Sequence, residues 1–417
     1  MKVEAEKILL IVLILGLASL CAILVTPLSD NYLHYTVSER ILENPNFLRD
    51  FDANAQYLAG LYPPLLHILY ALLLSVQLPF KLLDIISIIV ALVVLYKIEK
   101  KAVPLMMLSF LFLRVSVQGG VDIFLLVMSL LAIYYFEKKP IVGGIFAGLT
   151  TLTKGTGFLF FGAYIIAILI FKRFDIFRKD FYKSKFFLAI LVAFAVMLPW
   201  YIGNFIYFHG DIVATVVGYS ASDISSVENW LETDFQKNQP ERYWFDTSGY
   251  YPLPIDLLFY IGIAFTAYGL CKTRKLEKDH IFIFIFVLTY FAMQILSFEF
   301  LITIRYYLPI FPLLAIQISR GLPKKYMKFV YIMCLVMFVF FAFSLPKYAW
   351  NDMDSQMSQV CSYTKLNIGS DPVYVIYFQK WYIIYRCDLN YTQQAESKWT
   401  FDLDQGSLYL TNNTTGV

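Results

Sequence analysis

Apolar runs of helix length recur along most of this chain, and no other feature narrows its possible folds as much. They lie near 8–28, 82–98, 102–117, 122–136, 141–153, 156–171, 186–208, 254–271, 280–299, 301–318 and 329–346. A run of about 20 apolar residues matches the hydrocarbon thickness of a bilayer, where a helix satisfies every backbone polar group internally. With 59% hydrophobic and 16% charged residues and a mean hydropathy of +0.62 over 417 residues, the chain is too apolar for a soluble globule. The expected fold class is an all-α polytopic membrane protein. Several runs are short for a full span, and the Gly-rich stretch GGIFAGLTTLTKGTG is open to two readings, a broken helix pair or two clean spans. The membrane is the implied partner, and the net charge of +3 gives nucleic acid no support.

Orientation follows from lysine and arginine, which collect on the cytoplasmic side of spans. Met1–Lys7 followed by a long apolar run reads as an uncleaved signal-anchor with a cytoplasmic N-terminus. Basic clusters at Lys97, Lys100 and Lys101, at Lys138 and Lys139, and at 172–185, 271–278 and 320–328 are then all cytoplasmic. That holds only if 63–78, which opens on Pro63-Pro64, does not cross but lies at the interface or re-enters. The parity yields about eleven spans and an external C-terminus. It also places Asp30, Asp122, Lys154, Glu299 and Arg305 on the external side, with loops 29–63 and 209–253. Charges near lipid are costly and usually face a cavity, so their gathering on one side points to an externally open site.

The segment from Asp30 to Leu66 carries five carboxylates directly after the first run: Asp30, Glu39, Glu43, Asp50 and Asp52. At a poorly solvated boundary the proton affinity of Asp30 rises, which suits a general base. Asp122 follows Gly119-Gly120 at the start of a run, so a helix N-cap and a site carboxylate are both open readings. Arg305 has a planar fork that matches phosphate oxygens; it is equally placed to anchor a span at the interface. Of the cysteines, Cys21, Cys271 and Cys334 read as small buried hydrophobes, whereas Cys361 and Cys387 share a polar segment and can pair in an oxidising compartment. After Tyr348, PVYVIYF, WYIIYRC and SLYLT alternate as half-buried strands do, which predicts a small α/β or β domain outside the membrane. The expected domains are 1–346 and 347–417. The tail also holds glycosylation sequons at Asn390, Asn412 and Asn413, a pattern that chance often supplies.

Five stretches in order resemble the GT-C superfamily of membrane glycosyltransferases: the loop with Asp30, LYPPLLHILYALL, GGVDIFLLVMSLLAIYYF around Asp122, GLTTLTKGTG around Lys154, and RYYLPIFPLLAI from Arg305. The likeness is to the branch of protein O-mannosyltransferases and lipid A aminoarabinose transferases, and it ends near Ile316. It implies a polyprenyl-phosphate-linked sugar as donor, transferred with inversion on the external face to a lipid, glycan or protein acceptor. Asp30 and Asp122 then become the catalytic carboxylates. In the family the acidic residue matching Asp122 lines the active site, and together the two are candidate ligands for a divalent cation such as Mg or Mn. Arg305, then Lys154, become the groups that hold the donor phosphate. Where the aminoarabinose transferases carry Glu-Lys before the paired prolines, this chain has Leu61-Tyr62, so Tyr62 is left as a hydrogen-bond donor to phosphate. A secondary transporter is the alternative reading; it requires inverted repeats and broken helices near the midplane. A non-catalytic scaffold is the third, and it has no use for Asp30, Lys154 or Arg305.

Overall fold

The computed structural model describes residues 2–23, 34–35, 37–39, 41–42, 63–171, 179–207, 209–210, 287, 308–348, 361–362, 373–375, 387, 399–404 and 407–412. The chain is mostly helical. It divides into two compact units, Met1–Ala22 with Lys81–Phe343, and Ile23–Phe80 with Ser344–Val417.

In the larger unit the helices are α1 (Lys2–Ile23), α3 (Lys81–Ile98), α4 (Ala102–Met106), α5 (Phe110–Gln118), α6 (Val121–Tyr135), α7 (Pro140–Thr151), α8 (Gly157–Phe171), α9 (Lys179–Tyr182), α10 (Lys185–Tyr207), α11 (Phe311–Gly321) and α12 (Met327–Tyr348). The second unit holds α2 (Leu65–Ser75) and the strands β1 (Val373–Val375), β2 (Trp399–Asp404) and β3 (Ser407–Asn412). Among the described residues one helix, over Lys185–Ile206, is long and apolar enough to cross a membrane, or two if the bent pair α5–α6 counts as one. Further apolar helices, including Lys7–Ile23, Pro140–Thr151, Gly157–Ile170 and Met327–Phe343, are shorter.

The runs 82–98, 122–136, 141–153, 156–171, 186–208 and 329–346 became helices within two residues of their expected ends. The described helices at 8–28 and 301–318 have other bounds, Lys2–Ile23 and Phe311–Gly321, and 254–271 and 280–299 lie outside the described residues except for Val287. The run 102–117 did not stay whole. It divides into α4 and α5, because the Ser109 side chain accepts from the Phe112 N–H at 3.1 Å and caps a new helix. Gly119 and Gly120 then take φ of +77° and +81°, which glycine tolerates and other residues resist, and α6 leaves at 111° to α5. The break therefore lies here, while the Gly-rich stretch that was open to a broken-pair reading forms two separate helices, α7 and α8, joined by a corner at 152–156.

Helix packing in this unit depends on small residues. A Cβ added to Gly144 would meet the backbone oxygen of Ala189, and one added to Gly148 would meet the backbone oxygen of Ala193. The four-residue spacing on both sides lays α7 along α10 in the same direction, with backbones in direct contact. Gly143, likewise, lies against the Ala132 carbonyl and the Tyr164 hydroxyl, which closes the antiparallel hairpins α6–α7 and α7–α8. The outer helices reverse the pattern of a soluble protein. Ile8, Ile11 and Leu15 on α1, Leu191, Leu198 and Ile202 on α10, and Phe329, Ile332 and Phe340 on α12 are exposed, while Asp84, Arg114, Lys154, Asn204 and Gln317 are buried.

In the second unit α2 spans 11 residues, about 16 Å, which is half a bilayer core. Its His67 ring nitrogen Nε2 lies 2.7 Å from His34 Nδ1, both rings fully buried. One ring nitrogen donates and the other accepts; burial first, and the neighbouring imidazole second, hold His67 well below its ordinary range. Tyr35 stacks on Phe80, and Tyr70 meets both edge-on. The sheet runs β1-β2-β3, with β1 parallel to β2 and β3 antiparallel to β2, Asp404 opposite Ser407. Two of the strands fall in the predicted PVYVIYF and SLYLT stretches. WTFDLD supplies the middle strand, and WYIIYRC lies outside the described residues except for Cys387, which forms a disulfide with Cys361.

Replacing Gly144 with Val should abolish or destabilise the α7–α10 contact by about 1–3 kcal/mol or more, since the obstacle is backbone and cannot rotate away. Thermal unfolding of the purified protein checks this, with Ile145→Val, on the more exposed side of α7, expected to leave the midpoint unchanged.

Candidate functional site

Hydrogen bonds and close approaches fix which ends of the helices lie together in the larger unit. Lys81 Nζ donates to the Gln118 carbonyl at 3.2 Å, Asp84 accepts from the Gly120 N–H at 2.9 Å, and Lys154 donates to Asp122 at 2.5 Å. The start of α3, the α5–α6 bend and the α7–α8 corner thus meet at one end. Phe136 packs on Phe186 at the opposite end, where Lys138, Lys139 and Lys185 also lie in sequence. Lys97, 16 residues along α3 from Lys81, is displaced toward that opposite end by about 24 Å.

Asp122 and Lys154 form the centre of the polar end. Their side chains are 13% and 7% exposed, so the pair sits where water screens it little. Asp122 occupies the second position of α6, and Gly120 is the N-cap, which corrects the reading of Asp122 as a cap: its carboxylate points to a lysine of another hairpin. The cap region is served instead from outside by Asp84, buried in the first turn of α3. The fit is close, because a Cβ on Gly119 would collide with the Asp84 carboxyl group. Asp84 went unnoticed in the sequence because it lies inside an apolar run; a carboxylate in such a run was itself the available signal.

The corner that carries Lys154 is self-contained. Thr150 Oγ1 donates to the Ala147 carbonyl at 2.6 Å, Thr151 Oγ1 to the Gly148 carbonyl at 2.7 Å and Thr153 Oγ1 to the Leu149 carbonyl at 2.8 Å. These bonds occupy carbonyls in the last turns of α7. Gly157 opens α8 against the Thr150 carbonyl, an approach that any side chain would prevent. Tyr201 of α10 closes the back by donating to the Thr151 carbonyl at 3.2 Å.

Of the residues singled out from the sequence, Asp122 and Lys154 are brought together, and Asp30, Tyr62 and Arg305 lie outside the described residues. The cation site expected on Asp30 and Asp122 is described only at Asp122, since Asp30 lies outside the described residues. The ammonium of Lys154 already faces the Asp122 carboxylate, and among the described residues no three His, Cys, Asp or Glu side chains are grouped to hold a metal.

The chain matches no protein-family model, and no curated protein matches it.

Substituting Asp84 by Ala removes the acceptor of a buried N–H and should cost about 1–3 kcal/mol of stability, while Asp84→Asn, which keeps an acceptor, should cost less than half as much. Denaturation of the two variants in the same detergent measures the difference.

Proposed function

We propose that the chain is a multi-pass membrane glycosyltransferase of the GT-C kind, moving a sugar from a polyprenyl-phosphate donor to an acceptor on the external face. The observation that carries this reading is the buried Asp122–Lys154 pair, held at one end of a helix bundle whose outer surface is apolar. The exposed faces of α1, α10 and α12 suit lipid, and the lysines gathered toward the opposite end suit the cytoplasm. The Cys361–Cys387 disulfide supports an oxidising, external location for the tail.

In this proposal the acceptor hydroxyl attacks the anomeric carbon, forming the new C–O bond as the bond from that carbon to the phosphate oxygen breaks, with inversion. The hydroxyl proton passes to Asp30, the general base assigned from the sequence. The departing phosphate changes from a diester with one negative charge to a monoester that gains another, and positive charge stabilises it without an acid. Lys154 supplies such charge, with Arg305 and Tyr62 as the further phosphate ligands assigned from the sequence. Asp122 holds the Lys154 ammonium in place. No metal step is needed for the charge balance.

One observation favours the alternative, a secondary transporter: the 111° bend between α5 and α6 is the kind of interruption that transporters use around a substrate. Transporter sites lie near the middle of the helices, however, whereas Asp122 and Lys154 stand at helix ends, which favours the transferase.

The test is sugar transfer in reconstituted membranes from radiolabelled hexosyl and pentosyl polyprenyl phosphates. Wild type should transfer from at least one donor, and Asp30→Asn should lose about 100-fold or more in rate with folding intact. Transfer by Asp30→Asn at the wild-type rate would remove Asp30 as the base, and a wild type that takes up solute but transfers no sugar would favour the transporter.

A further inference from the structure

We propose that the corner from Lys154 to Gly157 is a phosphate cradle in which the hydroxyl of Thr156 and the backbone N–H groups of Gly155 and Thr156, just ahead of α8, hold the donor phosphate beside Lys154. The identity of the ligand rests on the transferase reading above; the cradle itself rests on the following geometry.

Four threonines lie in this corner, all buried. Three of them spend their hydroxyls on carbonyls of α7, as described. The fourth, Thr156, is 8% exposed, and its Oγ1 takes no hydrogen-bond partner among the described residues. A buried hydroxyl left so is costly and rare unless something else binds it. Thr156 immediately precedes α8, where a threonine ordinarily turns its oxygen onto the helix's own N–H groups. Here the Leu159 and Phe160 N–H groups are taken by the Thr156 backbone carbonyl, at 3.1 and 3.4 Å.

Backbone donors accompany the hydroxyl. The Lys154 N–H donates to the Thr150 carbonyl at 3.4 Å and the Gly157 N–H to the Lys154 carbonyl at 2.8 Å, while between them the N–H groups of Gly155 and Thr156 find no backbone acceptor among the described residues. They stand at the N-terminus of a 15-residue helix, whose dipole favours an anion. Space is present as well. Gly155 is exposed, and a Cβ placed on it would meet nothing within 4 Å.

The charge at the corner suits a phosphate better than a carbohydrate. Lys154 brings the positive charge and Asp122 orients it, and the Gly155 and Thr156 N–H groups with the Thr156 hydroxyl add neutral donors beside it. They would bind a phosphodiester weakly and its monoester product more strongly, which favours departure of the leaving group. A neutral sugar hydroxyl would gain little from either.

The experiment uses the full chain in lipid nanodiscs and measures binding of undecaprenyl phosphate, undecaprenol and inorganic phosphate, with thermal stability recorded for each variant. Wild type should bind undecaprenyl phosphate at least tenfold more tightly than undecaprenol. Thr156→Val should weaken that binding about tenfold or more, while leaving the empty protein as stable as wild type or more so, because a buried hydroxyl has been removed. Thr156→Ser should restore binding. Gly155→Leu should fill the open space and weaken binding without unfolding the chain. Equal affinity for inorganic phosphate would support the cradle and remove the lipid as its required partner. Binding of undecaprenol as tightly as the phosphate, or wild-type phosphate binding by both Thr156→Val and Gly155→Leu, would overturn the proposal. Sugar transfer that ignores Thr156 would sink the cradle and leave the transferase. Phosphate binding that depends on Thr156, in a protein that transfers no sugar, would sink the transferase and leave the cradle.

Discussion

The larger unit depends on one interaction, the ion pair between Asp122 and Lys154. Two charges with little exposure to water are costly to hold apart, and removing either partner takes the ion pair from the other, at a cost of about 3–5 kcal/mol for a buried pair. The pair connects the first turn of α6 to the corner between α7 and α8, so it holds two hairpins in register. Each side is itself supported. Asp84 fixes the left-handed glycines that begin α6, and the threonine bonds fix the corner that presents Lys154.

That arrangement needs close backbones, and the sequence provides them through glycine and alanine. Gly144 and Gly148 against Ala189 and Ala193 bring α7 and α10 together with no side chain between them, and Gly157 lets α8 start against the end of α7. In water the drive to bury apolar side chains would pack such a bundle from inside. In the proposed membrane setting the large apolar residues that face outward on α1, α10 and α12 meet lipid, and packing between small surfaces and buried hydrogen bonds holds the helices together. The polar groups are therefore few, buried and gathered. Such residues in a bundle with an apolar exterior mark function more often than structure.

Much of the helix pattern was legible, because a long apolar run leaves a chain little choice. That Asp122 and Lys154 stand at the same end of their helices, away from Lys138, Lys139 and Lys185, was legible too. Their pairing was not: they are separated by 32 residues and a helical hairpin, and nothing in either local sequence names a partner. The division of 102–117 had a signal in Ser109, but apolar content outweighed it. Asp84 was hidden by its apolar neighbours. Thr156 looked like one more threonine in a repetitive stretch, and only the bonds made by Thr150, Thr151 and Thr153 set it apart. The middle strand, Trp399–Asp404, alternates as its partners do, yet with three polar residues in six it was not among the stretches singled out. The base, the arginine and the tyrosine assigned from sequence, Asp30, Arg305 and Tyr62, fall outside the described residues and stand as sequence-based proposals.

A double-mutant cycle on the ion pair tests the central claim most directly. Stability is measured in nanodiscs for wild type, Asp122→Asn, Lys154→Met and the double variant. If the two side chains hold the site together, each single change should destabilise strongly and the double change should cost little more than one of them, a coupling of about 2–3 kcal/mol. Additive effects to within about 0.5 kcal/mol would contradict the account, because they would mean that Asp122 and Lys154 act independently.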